Sequence, residues 1–270
     1  MAEGRFYNKV NLLEEVQRYK TSNEFLELLF QEFNGSKRLL TDGVGSRLLT
    51  TMSALTNELY GIDINQGSIE RAEELITSWR IYRDCEPLRT EFKFLESKGL
   101  NVNFNNCHFY LIKLPTRLNG LFDGELASEL FLHLTEKEIE AFLKGAGYHL
   151  KPEGRFVFTA YVSGNENSLD EKFAELGSKI GMDKSEFIEN GVIDIKKLAK
   201  SLKKQNHELY ETSKRPFWLD LERARVFPEK NLEELCKRHD FDIKSKQNIN
   251  CGMFPFAHRL VYVLSKCTKL

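Results

Sequence analysis

The stretch KRLLTDGVGSRLLTTMSALTNELYGIDINQGSIERAEEL, residues 37–75, carries in order the signals of a strand, a glycine turn, a helix, a second strand, an acidic tip and a second helix. Leu39 and Leu40 form a short apolar run, and Gly43-Val44-Gly45 permits a tight turn. Residues 46–57 are then predicted as a helix whose free N–H groups face that turn. A second apolar run, 59–62, ends in Asp63, twenty positions after Gly43. In a βαβ unit this spacing sets a carboxylate at the tip of the neighbouring strand, where it can accept hydrogen bonds from both ribose hydroxyls of a nucleoside. A dinucleotide fingerprint would need glycine at position 48, where the chain has Leu48, so NAD and FAD are disfavoured.

The same segment resembles motif I and the following acidic motif of the class I S-adenosyl-L-methionine-dependent methyltransferases, whose glycine turn reads D/E-x-G-x-G-x-G. Gly43 and Gly45 match; Thr41 stands at the acidic position and Arg47 at the third glycine, with Asp42 one step beyond the acidic position. The resemblance continues in order. LPTRLNGLFDGELASELFLHL, 114–134, looks like the family's fourth-strand region, and GYHLKPEGRFVFTAY, 147–161, looks like its fifth strand and lead-in. It covers roughly residues 36–162 and 226–266.

The resemblance implies an α/β fold: a seven-stranded, mostly parallel Rossmann-like sheet with an antiparallel last strand, helices on both faces and a helical cap insertion. It implies S-adenosyl-L-methionine as cofactor and S-adenosyl-L-homocysteine as product. The cofactor-binding residues it implies are Asp42, Gly43, Gly45, Asp63, Ile64, Tyr110, Leu111, Ala127 and Ser128, and the catalytic candidates are Glu129, placed to orient or deprotonate an acceptor, His133 and Tyr161. Asp63 reads otherwise as a turn aspartate, Glu129 as a helix N-terminal carboxylate, His133 as a packed or solvated histidine and Tyr161 as a rim aromatic. No [ND]-P-P-[YF] run and no P-C dipeptide follows the fourth strand, which argues against base or glutamine amino methylation and against the covalent cytosine route.

The elements expected outside the opening stretch follow from periodicity and turn signals. Residues 10–33 have helical spacing broken at 21–23, where Ser22 or Asn23 caps the second piece. A helix over 68–79 leads to a polar connection containing Pro87, and the third strand lies within 102–112. Strand 122–127 is followed by a helix over 136–146, with Thr135 as N-cap and Glu138 at the capping-box position. A strand at 155–161, a helix at 232–239 and strands at 241–249 and 259–265 complete the sheet. The last two strands are joined by a loop too short for a parallel crossover, so they form an antiparallel hairpin. Three regions follow: an N-terminal helical cover (1–35), the cofactor domain (36–163 and 226–270) and an inserted substrate cap (164–225). The cap holds helix-like segments at 169–180 and 195–204 and the cluster Pro216-Phe217-Trp218.

The 270 residues, 41% hydrophobic and 29% charged, suffice for one large α/β domain with an insertion. Thirty-nine basic residues against 40 acidic leave a net charge of −1, so no global field draws in nucleic acid or an anionic membrane. The charged N-terminal run and the lack of any window near ~20 apolar residues point to a soluble, cytoplasmic protein. Five scattered cysteines without a C-x-x-C pair, and six histidines without an H-x-x-x-H pair, favour neither a disulfide framework nor a metal site. Lys196, Lys197, Lys200, Lys203 and Lys204 alternate with Ile195, Leu198, Ala199 and Leu202 as in an amphipathic helix. The leading reading is a methyltransferase for a small-molecule N or O acceptor. An RNA or protein methyltransferase using the lysine face, and a catalytically inactive binding module of the same fold, are the alternatives.

Overall fold

A computed structural model describes residues 21–44, 48–85, 88–112, 118, 120–163, 178, 181, 183, 188–189, 192–204, 223–249 and 258–267. Gly45, Arg47, Leu114, Pro115, Phe217, Trp218 and the segments expected as helices at 10–20 and 169–180 therefore lie outside the described residues, single positions apart.

The first helix among the described residues, α1 (Asn23–Phe33), starts where the sequence break implies: Ser22 caps it, its hydroxyl accepting from the Phe25 N–H at 3.2 Å. Strand β1 (Ser36–Asp42) leads through the glycine turn to α2 (Leu49–Leu55). This helix is shorter than expected, because Thr56 and Asn57 already belong to β2 (Thr56–Asp63), where their backbone pairs beside β1. Helix α3 (Gln66–Tyr82) follows. The connection after Pro87 is in fact a helix, α4 (Leu88–Ser97), which buries Leu88, Phe92 and Leu95 at helical spacing. Strand β3 (Cys107–Leu111) then closes one edge.

Strand β4 (Phe122–Ala127) has the bounds expected of it. It precedes α5 (Glu136–His149), opened by the expected capping box: the Thr135 hydroxyl accepts from the Glu138 N–H at 3.3 Å, and the Thr135 N–H donates to the Glu138 carboxylate at 2.8 Å. Strand β5 (Leu150–Ser163) begins earlier than expected, with a register irregularity between Phe122 and Gly124 absorbing residues 151–154. The chain ends with β9 (Phe227–Pro228), α7 (Glu229–Arg238), β10 (Phe241–Asn248) and β11 (His258–Lys266).

Within 164–225 the described residues form β6 (Ile188–Glu189), β7 (Val192–Asp194), α6 (Ile195–Lys204) and β8 (Arg223–Arg225). The three strands make a small antiparallel sheet, so the insertion is not purely helical. Helix α6 has the bounds read from the sequence, with Ile195, Leu198 and Ala199 buried and its five lysines exposed.

The main sheet runs β10-β11-β5-β4-β1-β2-β3. All of these pairings are parallel except those of β11, which is antiparallel to both β10 and β5. One face packs against α1 to α4 through Leu39, Leu59 and Val157; the other packs against α5 and α7 through Leu40, Phe122 and Phe156. From β1 the chain winds outward through β2 to β3, then returns to β4 on β1's other side. The reversal between β1 and β4 is a topological switch point, where open α/β sheets hold ligands beyond the carboxyl ends of the strands. No helix among the described residues is long and apolar enough to cross a membrane.

Candidate functional site

Gly43 leaves β1 at φ 68°, in the left-handed region that glycine adopts without strain. Its N–H and that of Val44 both donate to the Ile62 carbonyl, at 2.9 and 3.2 Å, which folds the turn against the end of β2. Leu48, at the position where a dinucleotide fingerprint has glycine, is buried at φ 63°. A leucine held there is strained by about 1–2 kcal/mol.

Asp63 ends β2 opposite Leu111 of β3. Its carboxylate accepts the Asn65 N–H at 2.8 Å, so it does shape its own turn, as the bland reading has it. Burial nonetheless pushes its carboxyl up to about 6, against hydrogen bonds that lower it. On either side stand Ile64, 61% exposed, and Leu111, 55% exposed. The ends of β2 and β3 thus bring two exposed aliphatic side chains near a part-buried hydrogen-bond acceptor, a combination that suits an aromatic base with its ribose diol. Tyr110 lies elsewhere: it points to the open face of the outer strands and stacks on Tyr60 with centroids 6.4 Å apart, leaving Leu111 as the tip of β3.

Ala127 is fully buried at the end of β4, and the Ser128 hydroxyl beyond it is buried without a hydrogen-bond partner among the described residues. Glu129 follows at φ 63°, strained backbone for a non-glycine residue. It is clamped rather than free. Its N–H donates to the Thr159 hydroxyl at 2.7 Å, and its Oε1 accepts from Thr159 at 3.3 Å and pairs with Arg259 at 2.5 Å. The Arg259 side chain is 3% exposed, and its guanidinium lies over the Phe25 ring of α1 at 5.5 Å. Tyr161 pairs with Arg259 across the β5–β11 ladder and is 2% exposed, so it is no rim aromatic.

His133 is exposed; desolvation by the surrounding protein lowers its imidazole pKa and the Glu129 carboxylate opposes that. The loop carrying it anchors the insertion. The Arg225 N–H donates to the Leu132 carbonyl at 3.0 Å, and its Nε donates to the Leu134 carbonyl at 2.9 Å.

Asp42 does not reach out to the crevice. Its carboxyl is 1% exposed and turned toward Glu125 of β4, which is fully buried. Burial is the main cause that raises both carboxyls, Glu125 to about 7. Behind Glu125 lies the His149 Nδ1, 3.8 Å from its Oε2. Glu125, His149, Thr159 and Arg259 were not singled out from sequence; the one visible signal was an acid, Glu125, directly before the apolar end of β4 in FDGELA. Among the described residues no group of three or more His, Cys, Asp or Glu side chains is placed to hold a metal ion.

No protein-family profile matches the chain, and no curated protein matches it. Solved structures do. A SAM-dependent methyltransferase from Methanosarcina mazei superimposes with a TM-score of 0.59 at 17% identity, covering 93% of this chain and 100% of that one. One from Clostridium acetobutylicum gives 0.53 at 12% identity, covering 90% and 89%. A Rhodobacter sphaeroides chain provisionally assigned to the Zn-dependent alcohol dehydrogenases gives 0.59 at 12% identity, covering 96% and 94%. At such identities the likeness speaks for the backbone alone. The chain thus has the Rossmann-like fold that the class I SAM-dependent methyltransferases share.

Proposed function

We propose that the chain is a class I methyltransferase that binds S-adenosyl-L-methionine and methylates a small-molecule N or O acceptor in the cytoplasm. The observation that carries this reading is the grouping at the carboxyl end of the sheet: Asp63 at the tip of β2 with the exposed Ile64 next to it and the exposed Leu111 opposite it, and the Gly43 turn at the end of neighbouring β1. Asp63 would hold the ribose, Ile64 and Leu111 the adenine, and Gly43, Ala127 and Ser128 the methionine end. The bound cofactor supplies a methyl group already activated by a positive sulfur.

The remaining task of the chain is to align the acceptor and exclude water, and proximity and orientation can account for ~7–11 kcal/mol of the barrier. A base is optional for an amine that arrives unprotonated. Glu129, neutralised by Arg259, is poorly suited to take a proton and well suited to fix the loop beyond β4. Residues 164–225, rooted on that loop through Arg225, would cover the acceptor.

The test is methyl transfer from radiolabelled S-adenosyl-L-methionine to a panel of amines and phenols, with product homocysteine derivative counted per acceptor. Stoichiometric transfer to one acceptor class is expected; cofactor binding without transfer to any compound would favour the inactive binding module. The exposed lysine face of α6 gives the RNA alternative its one support. An RNA acceptor would show a log–log salt slope of about −0.7 per phosphate contact, whereas a neutral metabolite would show almost none.

A further inference from the structure

The parallel register of β1 and β4 sets Leu40 opposite Glu125 and Asp42 opposite Ala127, so Asp42 and Glu125 share one face of neighbouring strands. Their carboxyls confront each other in the core at 1% and 0% exposure, and none of the four oxygens has a hydrogen bond of ordinary geometry among the described residues. With no cation added in the crevice, two adjacent buried anions are strongly disfavoured, so one proton is retained between them. The charged or titratable groups that face the pair are Asp63 from β2 and His149 from α5. Strand β5 offers Phe156 opposite Glu125 and Phe158 opposite Ala127, and the Arg38–Glu58 ion pair stands on the same face at the far end of β1 and β2.

Asp42 is the last residue of β1 and stands opposite Ala127, the last of β4, just before the Gly43 turn, so the pair lies directly beneath the carboxyl ends of the two strands that flank the switch point. We infer that Asp42 and Glu125 sense the sulfonium charge of the bound cofactor and release their shared proton when it arrives. The inference rests on the methyltransferase reading and adds to it a determinant for charged cofactor over spent product. The methionine carboxylate and ammonium are common to S-adenosyl-L-methionine and S-adenosyl-L-homocysteine, and only the first carries a positive sulfur. An opposite charge nearby favours ionised carboxyls. The proton passes to buffer, and the pair gains the negative charge that complements the sulfonium. Loss of the methyl group removes that complement and weakens the hold on the product.

The experiment is calorimetric titration of the whole chain at pH 7 with each ligand, in buffers of low and high ionisation enthalpy. The slope of observed heat against buffer enthalpy counts protons exchanged. Asp63 meets the same ribose in both ligands and cancels in the difference, whereas the ligands' own amines contribute equally to wild type and variant. The difference in protons released between the two ligands is expected to be larger in wild type than in Glu125→Gln by about half a proton. A difference that is equal in wild type and Glu125→Gln overturns the inference. Should Glu125→Gln fail to fold, Asp42→Asn serves in its place, with the same two outcomes. If wild type binds neither ligand, the methyltransferase reading itself falls, and this inference with it.

Discussion

Replacing Arg259 by methionine removes the cation from a nearly closed ion pair while keeping an apolar stem against Phe25. In the wild type the guanidinium is 2.5 Å from Glu129 Oε1, with side chains 3% and 13% exposed. Removing one partner of such a pair leaves a buried charge uncompensated, which typically costs about 3–5 kcal/mol. For a chain of this size that corresponds to a fall in melting temperature of roughly 10 °C, and of roughly 1–2 M in the urea midpoint. The double variant Glu129→Gln/Arg259→Met removes both charges and should recover most of the loss, since paired removal of a buried ion pair is often neutral. Urea unfolding of the four proteins, followed by far-UV circular dichroism, gives the coupling energy. An Arg259→Met cost below about 1 kcal/mol would refute the claim that Glu129 is held by a buried charge rather than by water.

Two further outcomes follow from packing and from titration. A Cβ at Gly61 would lie 2.5 Å from Phe109 Cδ1 and 2.7 Å from Val44 Cγ2, so Gly61→Val should cost about 1–3 kcal/mol, read as a lower denaturant midpoint with unchanged slope. Asp63 has a folded pKa raised by burial to about 6, above its unfolded value. Such a group stabilises fully below about pH 4, and that contribution is lost as pH rises through about 6. Relative to Asp63→Asn, the unliganded wild type should therefore gain stability, on the order of 2 kcal/mol, between pH 8 and pH 4; a flat difference across that range would contradict the burial of Asp63.

Much of the sheet was legible because its signals are local. The apolar run of β4, the capping box of α5 and the lysine-alternating α6 each carry their information within a few residues. The antiparallel hairpin followed from a connection too short for a crossover. Helix α4 was missed because Pro87 and the charges around Arg89, Glu91 and Lys93 hid the spacing of Leu88, Phe92 and Leu95. The start of β2 was misread as helix because Thr56 and Asn57 follow a helical run, and pairing with β1, a non-local event, decides their state. The site divides in the same way. Asp63 was visible from its distance to the glycine turn. Arg259 and Glu129 are 130 positions apart, and only the packing of β11 against β5 brings the guanidinium to the loop after β4. Asp42 was legible as an acid near the turn, but the direction of its side chain depends on strand parity and on the buried Glu125.

The central claim, that the carboxyl ends of β1, β2 and β3 hold the adenosine of a methyl donor, is tested most directly by calorimetric titration with S-adenosyl-L-homocysteine of wild type and Asp63→Ala, at pH 7.5, where Asp63 is ionised. Loss of charge-assisted hydrogen bonds to ribose costs about 1.5–3 kcal/mol, so the account predicts saturable one-to-one binding that weakens by about ten- to a hundredfold in the variant. Equal affinity in the two proteins, or no binding to wild type at concentrations up to about 1 mM, would contradict it.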